Sequence, residues 1–333
     1  MRILQINSAI NLGGGETHVL ELVDALRTRG HDVTVAGRPG GAVHPEIHFS
    51  FRNSADVFTA LRLRHYLRRN RFDIVHAHVA RDYTVAAAAA WGLPVKVVCT
   101  RHLLYPVRAN PLYRRVDGWI APTVQMMKKL APLRPKRSAV IPNWVNLDKL
   151  AYTPHPVHAT VSLGLLGQIS PHKGHDDAIE ALRQLGTGYQ LIIAGKGEPA
   201  YVARLQKQCL TLPVEFAGFA EFREFFERVD ILLAPSWEEP FGIVLLESMA
   251  TGVPVISTSA GGPLEIIRQG TGILVPPGNP TALAAAVRSL ADPVLRASII
   301  KQARERIETE FDIRKIIPKV EAFYLEVVNG REQ

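Results

Sequence analysis

Glu239 and Glu247 bracket the seven residues Pro-Phe-Gly-Ile-Val-Leu-Leu. Pro240 and Gly242 suit a helix that starts there, which puts Glu247 in its second turn. With a rise of about 1.5 Å and a turn of roughly 100° per residue, the two carboxylates are offset along and around that helix. They would therefore reach separate parts of one elongated ligand. Retaining hydrolysis of a glycosidic bond by paired acids needs carboxyls about 5–5.5 Å apart across one bond, which this offset does not favour. Taken in isolation the pair has a plainer reading: an acid decorating a helix N-terminus, and a second acid paired with some basic group.

The pair is not isolated. Thr258-Ser-Ala-Gly261-Gly262-Pro follows the next predicted strand, so two glycines open another segment at the same end of the sheet. Gly167-Gln168-Ile-Ser-Pro-His-Lys173-Gly follows an earlier strand, with Lys173 as a point charge for phosphate. Gly195-Lys196-Gly follows a third. Glycines at strand ends let backbone N–H groups approach an anion, and a helix start favours negative charge. Each loop alone reads equally well as a plain turn. Together with the acids they point to a nucleoside diphosphate carrying a further group.

The first half of the chain offers histidines. His76-Ala-His78 ends one predicted strand, and Thr100-Arg101-His102 ends a later one. A histidine there is commonly a structural hydrogen-bonder. A His-x-His pair also suggests metal, but no cysteine or carboxylate accompanies it at useful spacing, and no metal is expected. Two Arg/Lys-rich stretches, 61–71 and 128–137, read either as solvated faces or as a surface for anionic lipid.

The elements that must position these residues alternate regularly. Strands are expected at 2–6, 32–36, 73–78, 95–100, 118–122 and 139–143, with helices following Gly14-Gly15 and at 57–67 and 84–91. After the Pro/His-rich stretch 152–158 the pattern restarts, with strands near 161–167, 190–195, 214–218, 230–234 and 254–258. Helices are expected there at 176–185, 199–209 and 222–229, and a last one at 313–328. Such alternation means βα units and mostly parallel sheets, whose ligands sit outside the carboxyl ends of the strands.

Composition agrees with a globular protein: 333 residues, 47% hydrophobic and 21% charged. Residues 1–150 hold 22 Lys/Arg against 10 Asp/Glu, a net charge of +12, while the remainder is net −4. That asymmetry argues for different partners on the two halves. Cys99 and Cys209 form no metal or redox spacing. The start Met-Arg-Ile-Leu-Gln-Ile-Asn is too short and too soon polar for a signal peptide, and the apolar stretch 85–92 falls far below the roughly 18 residues of a span. A cytoplasmic, membrane-associated location is expected.

The stretch Glu239-Pro-Phe-Gly-x4-Glu247-Ser-Met-Ala-x-Gly-x-Pro-Val, followed by Gly261-Gly262-Pro263, resembles the donor-binding signature of the family 4 retaining glycosyltransferases. Lys173-Gly174, Pro142-Asn143, Gly272-Ile-Leu-Val-Pro-Pro-Gly and the N-terminal glycine loop extend the resemblance over essentially the whole chain. It implies the α/β GT-B fold, two Rossmann-like doubly wound domains facing across a cleft. Residues 1–150 would bind the acceptor, 151–158 link, and 159–312 bind the nucleotide-sugar. Residues 313–333 would cross back as a helix to the N-terminal domain.

The resemblance also implies roles. Glu247 would accept hydrogen bonds from the ribose hydroxyls. Glu239 would sit by the donor sugar, with backbone contacts from Phe241, Gly242 and Ile243. Lys173 would neutralise the leaving diphosphate, and Gly14 and Gly15 would cover the phosphates. Gln168, Gly195, Lys196, Gly261 and Gly262 complete the donor set. His102 is implied near the anomeric centre, with His78 and Thr100 toward the acceptor, a glycan or lipid-linked molecule; an anionic membrane surface is the further partner. No cofactor, metal or nucleic acid is implied. One departure stands out: the family has Gly-Arg where this chain has Gly167-Gln168, which removes a bidentate phosphate partner.

Other classes fit less well. For a nicotinamide-dependent oxidoreductase, Gly13-Gly-Gly-Glu-Thr-His lacks the third glycine in place, and Val35-Ala-Gly-Arg-Pro offers no acid for a ribose. A non-catalytic nucleotide-sugar or glycan binder is kept open by Gln168, and a sugar-nucleotide epimerase of the same fold is a weaker alternative.

Overall fold

The computed structural model describes residues 1–105, 110–153 and 157–330. Pro154, His155 and Pro156 of the expected linker, and residues 331–333 of the expected C-terminal segment, lie outside the described residues. The chain forms two compact units, Met1–Asn143 with Ile313–Gln333, and Trp144–Asp312.

The first unit runs β1 (Arg2–Ile6), α1 (Gly14–Thr28), β2 (Asp32–Gly37), β3 (Ile47–His48), α2 (Val57–Asn70), β4 (Ile74–Ala77), α3 (Ala80–Ala90), β5 (Lys96–Thr100), β6 (Gly118–Ala121), α4 (Val124–Leu130) and β7 (Ser138–Val140). Its sheet is parallel in the order β3-β2-β1-β4-β5-β6-β7. Helices cover both faces of such a sheet, which is why β4 and β6 are buried at every residue. The order reverses between β1 and β4, and the crevice outside their carboxyl ends receives the loop 7–13 and His78.

The second unit runs β8 (Val161–Leu166), α5 (His175–Leu185), β9 (Tyr189–Ala194), α6 (Pro199–Gln208), β10 (Val214–Gly218), α7 (Phe222–Glu227), β11 (Ile231–Ala234), α8 (Ile243–Thr251), β12 (Val255–Thr258), α9 (Pro263–Ile266), β13 (Ile273–Val275), α10 (Pro280–Ser289) and α11 (Pro293–Arg306). Its sheet is parallel in the order β10-β9-β8-β11-β12-β13 and reverses between β8 and β11. One continuous apolar core, including Leu163, Leu191, Leu233, Ile256, Leu182 and Leu283, ties the sheet to α5 and α10.

A single π-type turn, Ile307–Phe311, ends α11, and α12 (Ile313–Asn329) then belongs to the first unit. Its seat on the sheet is made by Gly118: a Cβ there would lie 2.8 Å from Val327 and 2.9 Å from the Phe323 ring. Glu321 of α12 is held by Arg29 and by His31, each at 2.7 Å.

Local chemistry explains where elements begin. The expected helix at 84–91 starts at Ala80 instead, because Asp82 in its first turn faces inward and accepts the Ser8 amide at 2.9 Å. α10 lies outside the expected helices, although the sequence carries its signal: Asn279 caps the Ala282 amide at 2.9 Å and Pro280 occupies the first helical position. Among the described residues no helix is long and apolar enough to cross a membrane.

Candidate active site

In the second unit the loops following β8 and β11 flank the reversal of strand order. Trp237 N–H donates to the His172 carbonyl at 2.8 Å. Gly174, at φ 71°, packs so closely that a Cβ would overlap the Pro235 carbonyl oxygen. Two loops distant in sequence are thereby pressed together, and Lys173 Nζ meets Glu239 Oε2, 66 residues further on, at 2.6 Å. The Ser236 hydroxyl donates to that same oxygen at 3.2 Å. Glu239 is 8% exposed, so its negative charge is kept in low dielectric by an ammonium and a hydroxyl.

The glycine loop after β12 fixes the Glu239 backbone. Glu239 N–H donates to Ala260 O at 3.3 Å, and Gly262 N–H donates to Glu239 O at 2.8 Å. A Cβ on Gly262 would overlap the Phe241 backbone. Gly262 therefore supplies close loop packing, since its own N–H is already committed. The same holds at Gly195, whose N–H donates to Gly218 O at 2.6 Å. Gly261 lies in the left-handed region at φ 86°.

Phe241 is buried and stacks edge-on to Phe311, 6.4 Å between centroids, so only its backbone faces the rim. Gly242, at φ 99°, opens α8 with no side chain capping it, and Ile243 is its first residue. An uncapped helix start of this length presents amide donors and positive potential. Glu247 sits one turn further on, 8% exposed among the buried Leu245, Leu246, Ser248 and Met249. Gln168 and Lys196 are exposed, the Lys196 ammonium lying 5.9 Å over the Phe219 ring.

The first unit collects its histidines on one face of the sheet. Side chains alternate along a strand, and in the parallel register Gln5 lies beside His76 and His76 beside Val98. Gln5, His76, His78, Thr100 and His102 consequently share a side. His76 Nε2 lies 2.7 Å from Thr100 Oγ1 and its Nδ1 lies 2.6 Å from the Tyr324 hydroxyl. His78 Nε2 lies 2.7 Å from Gln5 Oε1, and its Nδ1 lies 3.4 Å from His102 Nε2. His18 of α1 approaches His102 edge-on at 5.3 Å.

Burial first, and the neighbouring imidazoles second, push the His76 pKa down to about 3 and hold His18 and His78 well below the usual histidine value. Burial, then the Arg101 charge, takes His102 down to about 4. These rings are neutral at physiological pH. Gly14 and Gly15 form the first turn of α1, which has no side-chain cap. Among the described residues no group of three or more His, Cys, Asp or Glu side chains is placed to hold a metal ion.

Sequence reasoning singled out Lys173, Glu239, His78, Thr100 and His102, and the structure brings Lys173 to Glu239 and His78 to His102. It passed over Ser236, His18, Gln5 and Tyr324. Gln5 carried a signal, a polar residue inside the apolar strand Ile3-Leu4-Gln5-Ile6 that needs a buried partner. Tyr324 carried none, being one of several large residues on an amphipathic helix.

Two doubly wound parallel sheets, each with glycine-bearing loops at its carboxyl rim, define a protein of the GT-B class. Anabaena HepE, solved in complex with UDP and glucose, has the same fold, with TM-score 0.85 at 22% identity over 97% of this chain and 99% of that one. Residues 12–149 match glycosyltransferase family 4 and residues 161–306 match the glycosyl transferases group 1 family. The chain belongs to the family 4 glycosyltransferases. It is 28% identical to the glycogen synthase of Mycobacterium tuberculosis over 100% of this chain and 96% of that protein. It is 29% identical to the lipopolysaccharide core biosynthesis glycosyltransferase LpsE of Rhizobium meliloti over 90% and 92%.

Proposed function

We propose that the chain is a retaining glycosyltransferase that binds a nucleotide-sugar on the carboxyl rim of its second unit. It delivers the sugar to a glycan or lipid-linked acceptor held by the first. The Lys173–Glu239 pair at the point of strand reversal carries this reading. Departure of a nucleoside diphosphate develops negative charge, which a fixed ammonium stabilises, and the adjacent carboxylate accepts hydrogen bonds from sugar hydroxyls. The start of α8, at Phe241, Gly242 and Ile243, suits the diphosphate. Glu247 takes the ribose hydroxyls, and Gln168, Gly195, Lys196, Gly261 and Gly262 border the same rim. Gly14 and Gly15 give the first unit a second uncapped helix start suited to an anionic group. His102 serves the anomeric centre and the acceptor, with His78 and Thr100 shaping that side of the site from the hydrogen-bonded cluster behind it. Retention follows from displacement on the face the leaving group departs from, with no protein nucleophile required.

An amphiphilic acceptor at a membrane surface is supported by what the first unit exposes. Ile10 and Leu12 follow β1, and Leu103 and Tyr105 follow β5; all four are exposed. α2 adds exposed Val57, Phe58 and Leu61 to exposed Arg62, Arg68 and Arg69. An apolar edge joined to a basic face suits anionic lipid.

A panel of UDP-, GDP-, ADP- and dTDP-sugars tests the donor reading, beginning with UDP-sugars because HepE was solved with UDP and glucose. A true donor raises the melting temperature by mass action, about 2.7 kcal/mol at a hundredfold excess over Kd. NMR of the product then gives its anomeric configuration. No stabilisation by any donor, or a product of inverted configuration, overturns the proposal.

A further inference from the structure

The histidine cluster of the first unit takes its hydrogen-bond polarity from the orientation of the Gln5 amide. Gln5 Oε1 can only accept, so His78 carries its proton on Nε2. A neutral imidazole has a single N–H, which leaves His78 Nδ1 bare to receive His102 Nε2–H. On its other side Gln5 Nε2 donates to the Tyr324 oxygen at 3.2 Å. The Tyr324 proton is then committed to His76 Nδ1, and His76 Nε2–H goes to Thr100 Oγ1. Each of these groups has its proton assigned by the next.

Tyr324 is the pivot. It is fully buried, it comes from α12 some 300 residues along the chain from Gln5, and its hydroxyl is the acceptor that orients the Gln5 amide. With the amide turned over, NH2 would face His78 Nε2, the His78 proton would move to Nδ1, and His102 Nε2 would become the bare nitrogen. We infer that Tyr324, acting through Gln5 and His78, is a positioning residue that holds His102 as the Nε2–H tautomer. His102 then presents the lone pair of Nδ1 to a sugar or acceptor hydroxyl. The inference rests on the role proposed above for His102. It gives α12 a part in the reaction beyond packing.

Long-range 1H–15N correlation spectra of 15N-histidine-labelled protein at pH 7.5 read the tautomers directly. In the wild type His78 and His102 are expected as Nε2–H forms. Tyr324→Phe and Gln5→Leu are expected to move the bare-nitrogen resonance of His102 from Nδ1 to Nε2, or to an average of the two. Turnover should fall on the order of ten- to hundredfold with donor KM near its wild-type value. A wild-type His102 protonated on Nδ1 overturns the inference without any variant, and so does a tautomer unchanged in both variants. A switched tautomer with unaltered turnover supports the relay and removes His102 from the transfer step instead.

Discussion

Lys173 Nζ and Glu239 Oε2 lie 2.6 Å apart, joining two loops that follow neighbouring strands. Both groups are partly or fully withdrawn from water, so removing one strands the other. Lys173→Ala should lower kcat/KM by about 10²–10³, the cost of losing one preorganised charge at a leaving group. Glu239→Gln should lower kcat at nearly unchanged donor affinity, whereas Glu247→Ala should mainly weaken donor binding. In thermal unfolding of the free protein the Lys173→Ala/Glu239→Gln double variant should lose less stability than the two single losses summed. Strict additivity would mean the pair contributes no coupling.

Glycines at the two rims separate packing from ligand approach. Gly174→Ala forces a Cβ into the Pro235 carbonyl at positive φ; it should cost more than about 1 kcal/mol and impair donor binding by displacing Lys173. A Cβ on Gly15 meets nothing within 4 Å in a helical position. Gly15→Ala should melt at or above the wild-type temperature, by up to about 1 kcal/mol. If it also keeps full donor affinity, no phosphate approaches that residue closely.

Stability should fall in mild acid. His18, His76, His78 and His102 have folded pKa values below the ordinary 6.5, chiefly through burial. Their contribution is complete above 6.5 and is lost as the pH drops toward the folded values of about 3 for His76 and about 4 for His102. Each neutral ring costs about 1.4 kcal/mol per pH unit in that window. Asp82 opposes them: burial raises it from 3.8 to about 7, so its contribution is present in acid and lost as the pH rises through that value. His175, taken down to about 4 by burial, adds to the imidazoles, and Glu16, raised by burial, adds to Asp82; five imidazoles outweigh two carboxyls. Melting curves between pH 4.5 and 7.5 should show a steady fall below 6.5, and a flat profile would contradict neutral burial of the cluster.

Vesicle co-sedimentation tests the basic face. Binding to anionic vesicles should weaken on Arg68→Glu/Arg69→Glu, about 1 kcal/mol per charge removed near the surface, and weaken again with salt. Phe58→Ser should reduce it further, because Phe58 is 77% exposed. Equal sedimentation with zwitterionic and anionic vesicles would rule the surface out.

The sequence alone determined what is local and periodic. Alternating strands and helices, the strand-end glycines, the spacing of Glu239 and Glu247, and the basic first half all depend on residues close in the chain. Periodicity, capping and turn chemistry act over that range. It also marked Lys173 and His102 as reactive residue types at strand ends. Tertiary structure decided which of them meet. Lys173 reaches Glu239 only because β8 and β11 are neighbours at the reversal of strand order, and Gln5 reaches His78 because β1 lies beside β4. Tyr324 enters the cluster because Gly118 leaves room for α12 to settle on the sheet. Sheet order and helix seating are set by burial summed over many distant residues, so no short window of sequence contains them.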